Sequence, residues 1–249
     1  MTSAARVSLD DPTFYPITEK VGEDSLQTFV AELFRGLVDR WLVTRGKPAF
    51  VGADQFIYWM QHHPEKVVAP DVYVLPGVPR DGRISCLKVW EAGVVPSFAL
   101  EIVSPNSVEK DYREVPTRYA ELGVTELVVF DPDYRKGRDR VRLQVFRSVK
   151  GQFVRVVTTN EDRVRSRVLG CWVRAVGKGE HVRLRLGTGE GGDTLVPTEA
   201  EAERARADAE HTRAEAAQTR ADHERARAEQ AEEEVARLRA EIERMKGGR

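Results

Sequence analysis

From residue 22 to residue 45, in GEDSLQTFVAELFRGLVDRWLVTR, apolar side chains recur at helical intervals. Leu26, Phe29, Val30, Leu33, Phe34, Leu37, Val38 and Trp41 follow the spacing of an amphipathic helix, with acidic residues at its start. The period then changes. Residues 50–60, FVGADQFIYWM, are expected to be extended and half buried, and short apolar runs follow in VAPDVYVLPG, SFALEIVSP and ELVVFDP. Each run stops at Pro, Gly or Asp, as sheet strands do. Between the last two lies NSVEKDYREVPTRYAELG, whose final turn, with Tyr119, Ala120 and Leu122 before Gly123, predicts a helix ended by that glycine.

Beyond Pro132 the chain alternates Arg with Val or Leu, in RVRLQVF, QFVRVVTT, RVRSRVLGCWVRAV and HVRLRLG, with SVKG as one turn. Period-two alternation predicts hairpins with cations on one face and aliphatics on the other. That face is either a solvated outer surface or a basic surface for a phosphate backbone. From about Thr198 the composition turns to Ala, Glu and Arg without Pro or Gly until Gly247, which predicts one long helix. Val235, Leu238, Ile242 and Met245 form a short 3-4-3 seam near its end, while the same register upstream is mostly alanine. Weak homo-oligomerisation through this helix, or a single solvated helix, is expected. The division is an arm over 1–21, a globular domain over 22–197 and a coiled-coil-like tail over 198–249.

Composition narrows the picture. A chain of 249 residues with 41% hydrophobic content can bury a sizeable core. The net charge of −1 gives no global attraction to nucleic acid or anionic membrane. Outside the tail, 28 basic residues face 26 acidic ones, a balance that permits a phosphate ligand. Cys86 and Cys171 stand alone, far from any metal-binding spacing, and are expected to be reduced thiols. No charged start followed by an apolar run opens the chain, and no segment approaches the roughly 18 apolar residues of a membrane span. A cytoplasmic protein is expected.

Two acids interrupt apolar strands. Asp71 opens DVYVLPG and Glu101 lies inside SFALEIVSP. A carboxylate there is costly unless something pairs with it. If the two strands are neighbours, both acids converge at one sheet end, an oxygen-rich site suited to Mg²⁺ or Mn²⁺. Glu23 or Asp24, at the start of the first helix, could add a third carboxylate. The plain alternatives are a strand-opening residue for Asp71, an edge position for Glu101 and helix-start acids for Glu23 and Asp24. His62 and His63, adjacent in MQHHPEK, point to opposite faces of an extended segment and are read as surface loop residues. Ser104 lacks a base at useful spacing.

The segment Ala69–Pro132, with APDVYVLPG, KVWEAGVVPSFALEIVSPNS and KDYREVPTRYAELGVTELVVFDP, resembles the Uma-type putative restriction endonucleases of the PD-(D/E)XK nuclease superfamily; SRVLG and the Ala/Glu/Arg-rich tail also fit. The resemblance implies an α/β, restriction-endonuclease-like mixed central sheet flanked by helices, extended here by C-terminal β-hairpins and a long C-terminal helix. It also implies metal-dependent hydrolysis of DNA phosphodiester bonds, with Asp71, Glu101 and the main-chain carbonyl of Ile102 as metal ligands. The superfamily's lysine, two residues after the second acid, is Val103 here. In the D-x-x-x-K-x-x-x-Y pattern of the family, Asp111 and Tyr119 are present but the lysine position is Val115. Arg118 lies near that helical face and is the expected charge-stabilising substitute; Lys110 and Arg113 are less well placed, and Lys88 lies upstream in CLKVW. The alternative implied by Val115 is a catalytically inactive nuclease fold that binds nucleic acid or assembles with partners.

Overall fold

The computed structural model describes residues 25–104, 108–137 and 139–247. In chain order the elements are α1 (Ser25–Thr44), β1 (Phe50–Gly52), β2 (Phe56–Tyr58), β3 (Val67–Val68), β4 (Val72–Leu75), β5 (Cys86–Lys88), α2 (Val89–Ala92) and β6 (Phe98–Ile102). There follow α3 (Val108–Arg113), α4 (Val115–Leu122), β7 (Glu126–Phe130), β8 (Leu143–Val149), β9 (Gln152–Thr159) and β10 (Arg163–Arg165). The chain ends with β11 (Trp172–Val176), β12 (Arg183–Thr188), β13 (Thr194–Leu195) and α5 (Glu199–Gly247). It divides into two compact units between Thr198 and Glu199.

The central sheet runs β1-β4-β6-β7-β8-β9 and is mixed: β6 and β7 are parallel, the other neighbours antiparallel. Strand alternation separates its two faces. Phe98, Leu100 and Ile102 of β6 join Val72, Val74, Val128 and Phe130 in a core closed by Val30, Phe34, Leu37 and Val38 of α1. Ala99 and Val103 face the opposite core, with Tyr73, Leu127, Val129 and the α4 residues Val115, Tyr119 and Leu122. One predicted member of the α1 stripe departs: Phe29 is 58% exposed, its ring lying beneath the Arg183 guanidinium at 5.7 Å.

The link between parallel strands must cross the sheet, and α3 and α4 make that crossing. Gly123 ends α4 with φ 87°, its N–H reaching the carbonyls of Tyr119 and Ala120. At the β1/β4 pairing, a side chain on Gly52 would collide with the Tyr73 ring, so that position needs glycine. A small three-stranded sheet, β3-β2-β5, covers the α4 side. The β5 strand and α2 were not foreseen, since three- and four-residue elements are too short to show a period.

The hairpin-rich half splits in two. β8 and β9 extend the central sheet, turning through Lys150 and Gly151, both at positive φ. β10-β11-β12-β13 form a separate antiparallel sheet. Its Val164, Val173, Ala175, Leu184 and Leu186 enter the core shared with α1. Its outward arginines are engaged within the sheet: Arg163 pairs with Asp162 and Asp193 at 2.8 and 2.6 Å, Arg174 with Asp162 at 2.7 Å, and Arg185 donates to the Val196 carbonyl at 3.0 Å. These contacts favour the solvated-face reading of the Arg/Val alternation. Burial alone would raise the Asp162 pKa, but hydrogen bonds from Arg163 and Arg174 outweigh it and hold the carboxyl below its usual range. This knot contributes stability at neutral pH and loses it as pH falls through that lowered value.

A buried ion pair joins the two sheets. Glu126, with no exposed surface, accepts from Arg147 Nε at 2.6 Å, from the Ser166 hydroxyl and from the Arg167 N–H at 3.0 Å. Arg147 in turn donates to the Arg165 carbonyl at 2.5 Å.

Both cysteines are free thiols, Cys86 partly exposed and Cys171 buried. Burial pushes the Cys171 pKa up to about 12, which leaves almost no thiolate near neutrality. A disulfide-exchange reagent at mildly alkaline pH should titrate one thiol quickly and the second only after denaturation. Rapid release of both from native protein would contradict the buried position of Cys171. Among the described residues, no helix is long and apolar enough to cross a membrane.

Candidate active site

Strand register brings the two acids together. β4 and β6 are antiparallel with Val72 opposite Leu100, so one step back along β4 and one forward along β6 set Asp71 beside Glu101. The main chain closes the junction: Ile102 N–H donates to Asp71 Oδ2 at 2.5 Å. Asp71 Oδ1 accepts from Gln27 Nε2 of α1 at 2.7 Å. Asp71 is 4% exposed, and these two N–H donors offset the cost of burying its charge.

Glu101 is half-buried and shares its strand face with Ala99 and Val103. Its Oε1 accepts from the Tyr119 hydroxyl at 2.5 Å, and Tyr119 is fully buried on the inner face of α4. Tyr119 thus sets the direction of the carboxylate from one side while β6 sets its origin. One turn earlier on the same face stands Val115, 6% exposed and packed in the cluster that holds Val103. Both positions where the superfamily pattern calls for lysine are aliphatic and buried.

Three further residues bear on the site without having been expected there. Gln27 escaped notice because an amide inside an amphipathic helix carries no sequence signal of its own. Tyr119 was noted for its spacing, but its contact with Glu101 becomes visible only when α4 docks. Asp131, read as a strand terminator, is fully buried just past β7, whose Phe130 pairs with Ile102. Its oxygens take two hydrogen bonds from Arg140, at 2.7 and 2.6 Å, and the Tyr112 hydroxyl lies 2.8 Å away. Burial raises the Tyr112 pKa above its ordinary value and the Asp131 charge adds to that, so the phenol stays protonated and pins α3 to the strand ends.

The other predicted residues fall elsewhere. Arg118 donates from Nη1 to the Val67 carbonyl at 3.2 Å. It lines a groove of about 410 Å³ with Trp59, Lys66, Arg113 and Glu121, and neither acid belongs to that lining. His62 and His63 are exposed on the loop before β3, and His63 Nδ1 meets Glu65 at 2.9 Å. Glu23 and Asp24 lie outside the described residues. Among the described residues no three His, Cys, Asp or Glu side chains gather into a metal-holding group.

A mixed sheet flanked by helices, with two carboxylates at the ends of neighbouring strands, places the globular unit in the restriction-endonuclease-like class. Residues 17–177 match the family model Uma2, described as "Putative restriction endonuclease". The chain belongs to this family. It is similar to a solved structure from Anabaena variabilis, described as a putative nuclease belonging to DUF820, at 14% identity and a TM-score of 0.45, over 61% of this chain and 78% of that one. No curated protein matches the chain.

Proposed function

We propose that the protein is a DNA endonuclease that hydrolyses phosphodiester bonds with Mg²⁺ or Mn²⁺ held by Asp71 and Glu101. The observation that carries this reading is the junction of the two acids at one sheet end, each steadied by residues from outside its own strand. The donor chemistry fits such an ion, because Mg²⁺ is usually bound through one or two carboxylates and keeps several waters. The main-chain carbonyl of Ile102 and the carboxylate of Glu23 are the further oxygens assigned to it. A bound divalent cation supplies Lewis acidity and a water of lowered pKa.

The chain's own residues prepare that chemistry. Gln27 and the Ile102 N–H hold Asp71 as a fixed acceptor, and Tyr119 holds Glu101 by one oxygen. Carboxylates held in place in this way would take up a divalent cation without first reorganising. Arg118 can stabilise such charge only after releasing the Val67 carbonyl. With Val103 and Val115 where a lysine is expected, slow cleavage follows. The burial of Val115 also favours a second reading, an inactive nuclease fold that binds nucleic acid.

Purified protein incubated with supercoiled plasmid should nick it only when Mg²⁺ or Mn²⁺ is present. Glu101→Gln and Asp71→Ala should each lower the rate by at least about 10²-fold. Equal nicking by all three proteins would betray contamination and remove the endonuclease reading. A metal-induced rise in melting temperature that Glu101→Gln abolishes, without cleavage by any protein, would support the second.

A further inference from the structure

α5 is polar and exposed over nearly its whole length, yet near its C-terminus Val235, Leu238, Ile242 and Met245 are 47%, 51%, 46% and 71% exposed in an unbroken 3-4-3 order. Four large apolar side chains on one stripe of a 49-residue polar helix have no role within a single solvated helix. Setting Val235 at heptad position a places Ile242 at the next a, with Leu238 and Met245 at d. β-branched residues at a with Leu at d favour two strands.

The flanking charges choose the partner and its direction. In a parallel pair, each g residue faces the e residue of the following heptad on the other helix. Arg227 then faces Glu232 and Glu234 faces Arg239, opposite charges in both cases. In the antiparallel alignment that overlays the same four apolar residues, Glu234 faces Glu241 and Arg239 faces Arg239. Upstream the pattern fails: Arg220 would face Arg225, and Glu224 occupies d. The attraction begins at Arg227, one heptad ahead of the first large apolar residue, Val235, with Ala228 and Ala231 at the core positions between them.

We propose that the last turns of α5, from about Arg227 to Met245, form a parallel, in-register, two-stranded coiled coil with a second copy of this chain. Only two heptads carry large apolar residues, so the association is weak and depends on concentration.

Sedimentation of the full chain from about 1 μM to about 1 mM should show the mass rising from one chain to two. Leu238→Glu, at a solvent-facing position, should keep the melting temperature of the globular unit and hold the mass at one chain. Glu234→Arg should weaken the dimer, and adding Arg239→Glu to it should restore association. In a Cys86→Ser background, chains carrying Val235→Cys should cross-link to one another under mild oxidation. A single-chain mass at every concentration would overturn the proposal. So would a dimer indifferent to the charge changes, or cross-linking that pairs Val235→Cys with Met245→Cys in preference to itself.

Discussion

Glu126→Ala should lower the free energy of unfolding by about 3–5 kcal/mol, because it strands the guanidinium of Arg147 in a buried joint. Glu126 is fully buried and accepts from Arg147, Ser166 and the Arg167 N–H, which come from β8 and from the link between β10 and β11 of the second sheet. Removing the carboxylate leaves those donors without their acceptor, and the lost acceptor costs more than the pair contributes in net terms. For a domain whose whole stability is about 5–15 kcal/mol, such a change brings the second sheet close to detachment. Urea titration followed by tryptophan fluorescence measures it, since Trp172 lies on β11. The double variant Glu126→Leu with Arg147→Met, which removes both charges, should recover the part of the loss due to the stranded guanidinium, while the Ser166 hydroxyl and the Arg167 N–H still lack their acceptor. An unchanged urea midpoint in Glu126→Ala would show that the ion pair does not hold the sheets together.

Val115→Lys should raise plasmid nicking on the order of 10²-fold over the natural chain, the size of effect expected for one charged donor set against a developing negative charge. Val115 is one turn before Tyr119 on the inner face of α4, and Tyr119 already touches Glu101. A lysine stem starting there can follow the same face toward the acid. Introducing it into a packed cluster should cost about 1–3 kcal/mol of stability. Val115→Met, similar in length and uncharged, separates the two effects: it should perturb packing and leave nicking unchanged. Should the lysine variant fold and cut no faster than the natural chain, the missing ammonium is not what limits the site.

Much of this arrangement was legible in the chain before its coordinates. α1 announced itself through eight well-spaced apolar positions, and Gly123 through its place after Leu122. β4, β6 and β7 were readable because each is a β-prone run closed by a breaker. Asp71 and Glu101 drew notice because charge in such runs is expensive. What stayed hidden depends on distant pairing. The Arg/Val runs RVRLQVF and RVRSRVLGCWVRAV look alike in sequence, yet the first leads into β8 of the central sheet and the second builds β10 and β11 of a separate one. Gln27 lies 44 residues from Asp71, and nothing in its neighbours marks it as that acid's donor. Asp131 resembled a turn residue until Arg140 and Tyr112 folded onto it.

The crossover between β6 and β7 has a consequence for how the protein can change. The helix that makes parallel alignment possible also brings Tyr119 to Glu101, so a single docking event completes both the sheet and the acid's surroundings. Substitutions that loosen α4 should therefore erode architecture and chemistry in step, and evolutionary drift at its inner face is constrained twice over by one set of contacts.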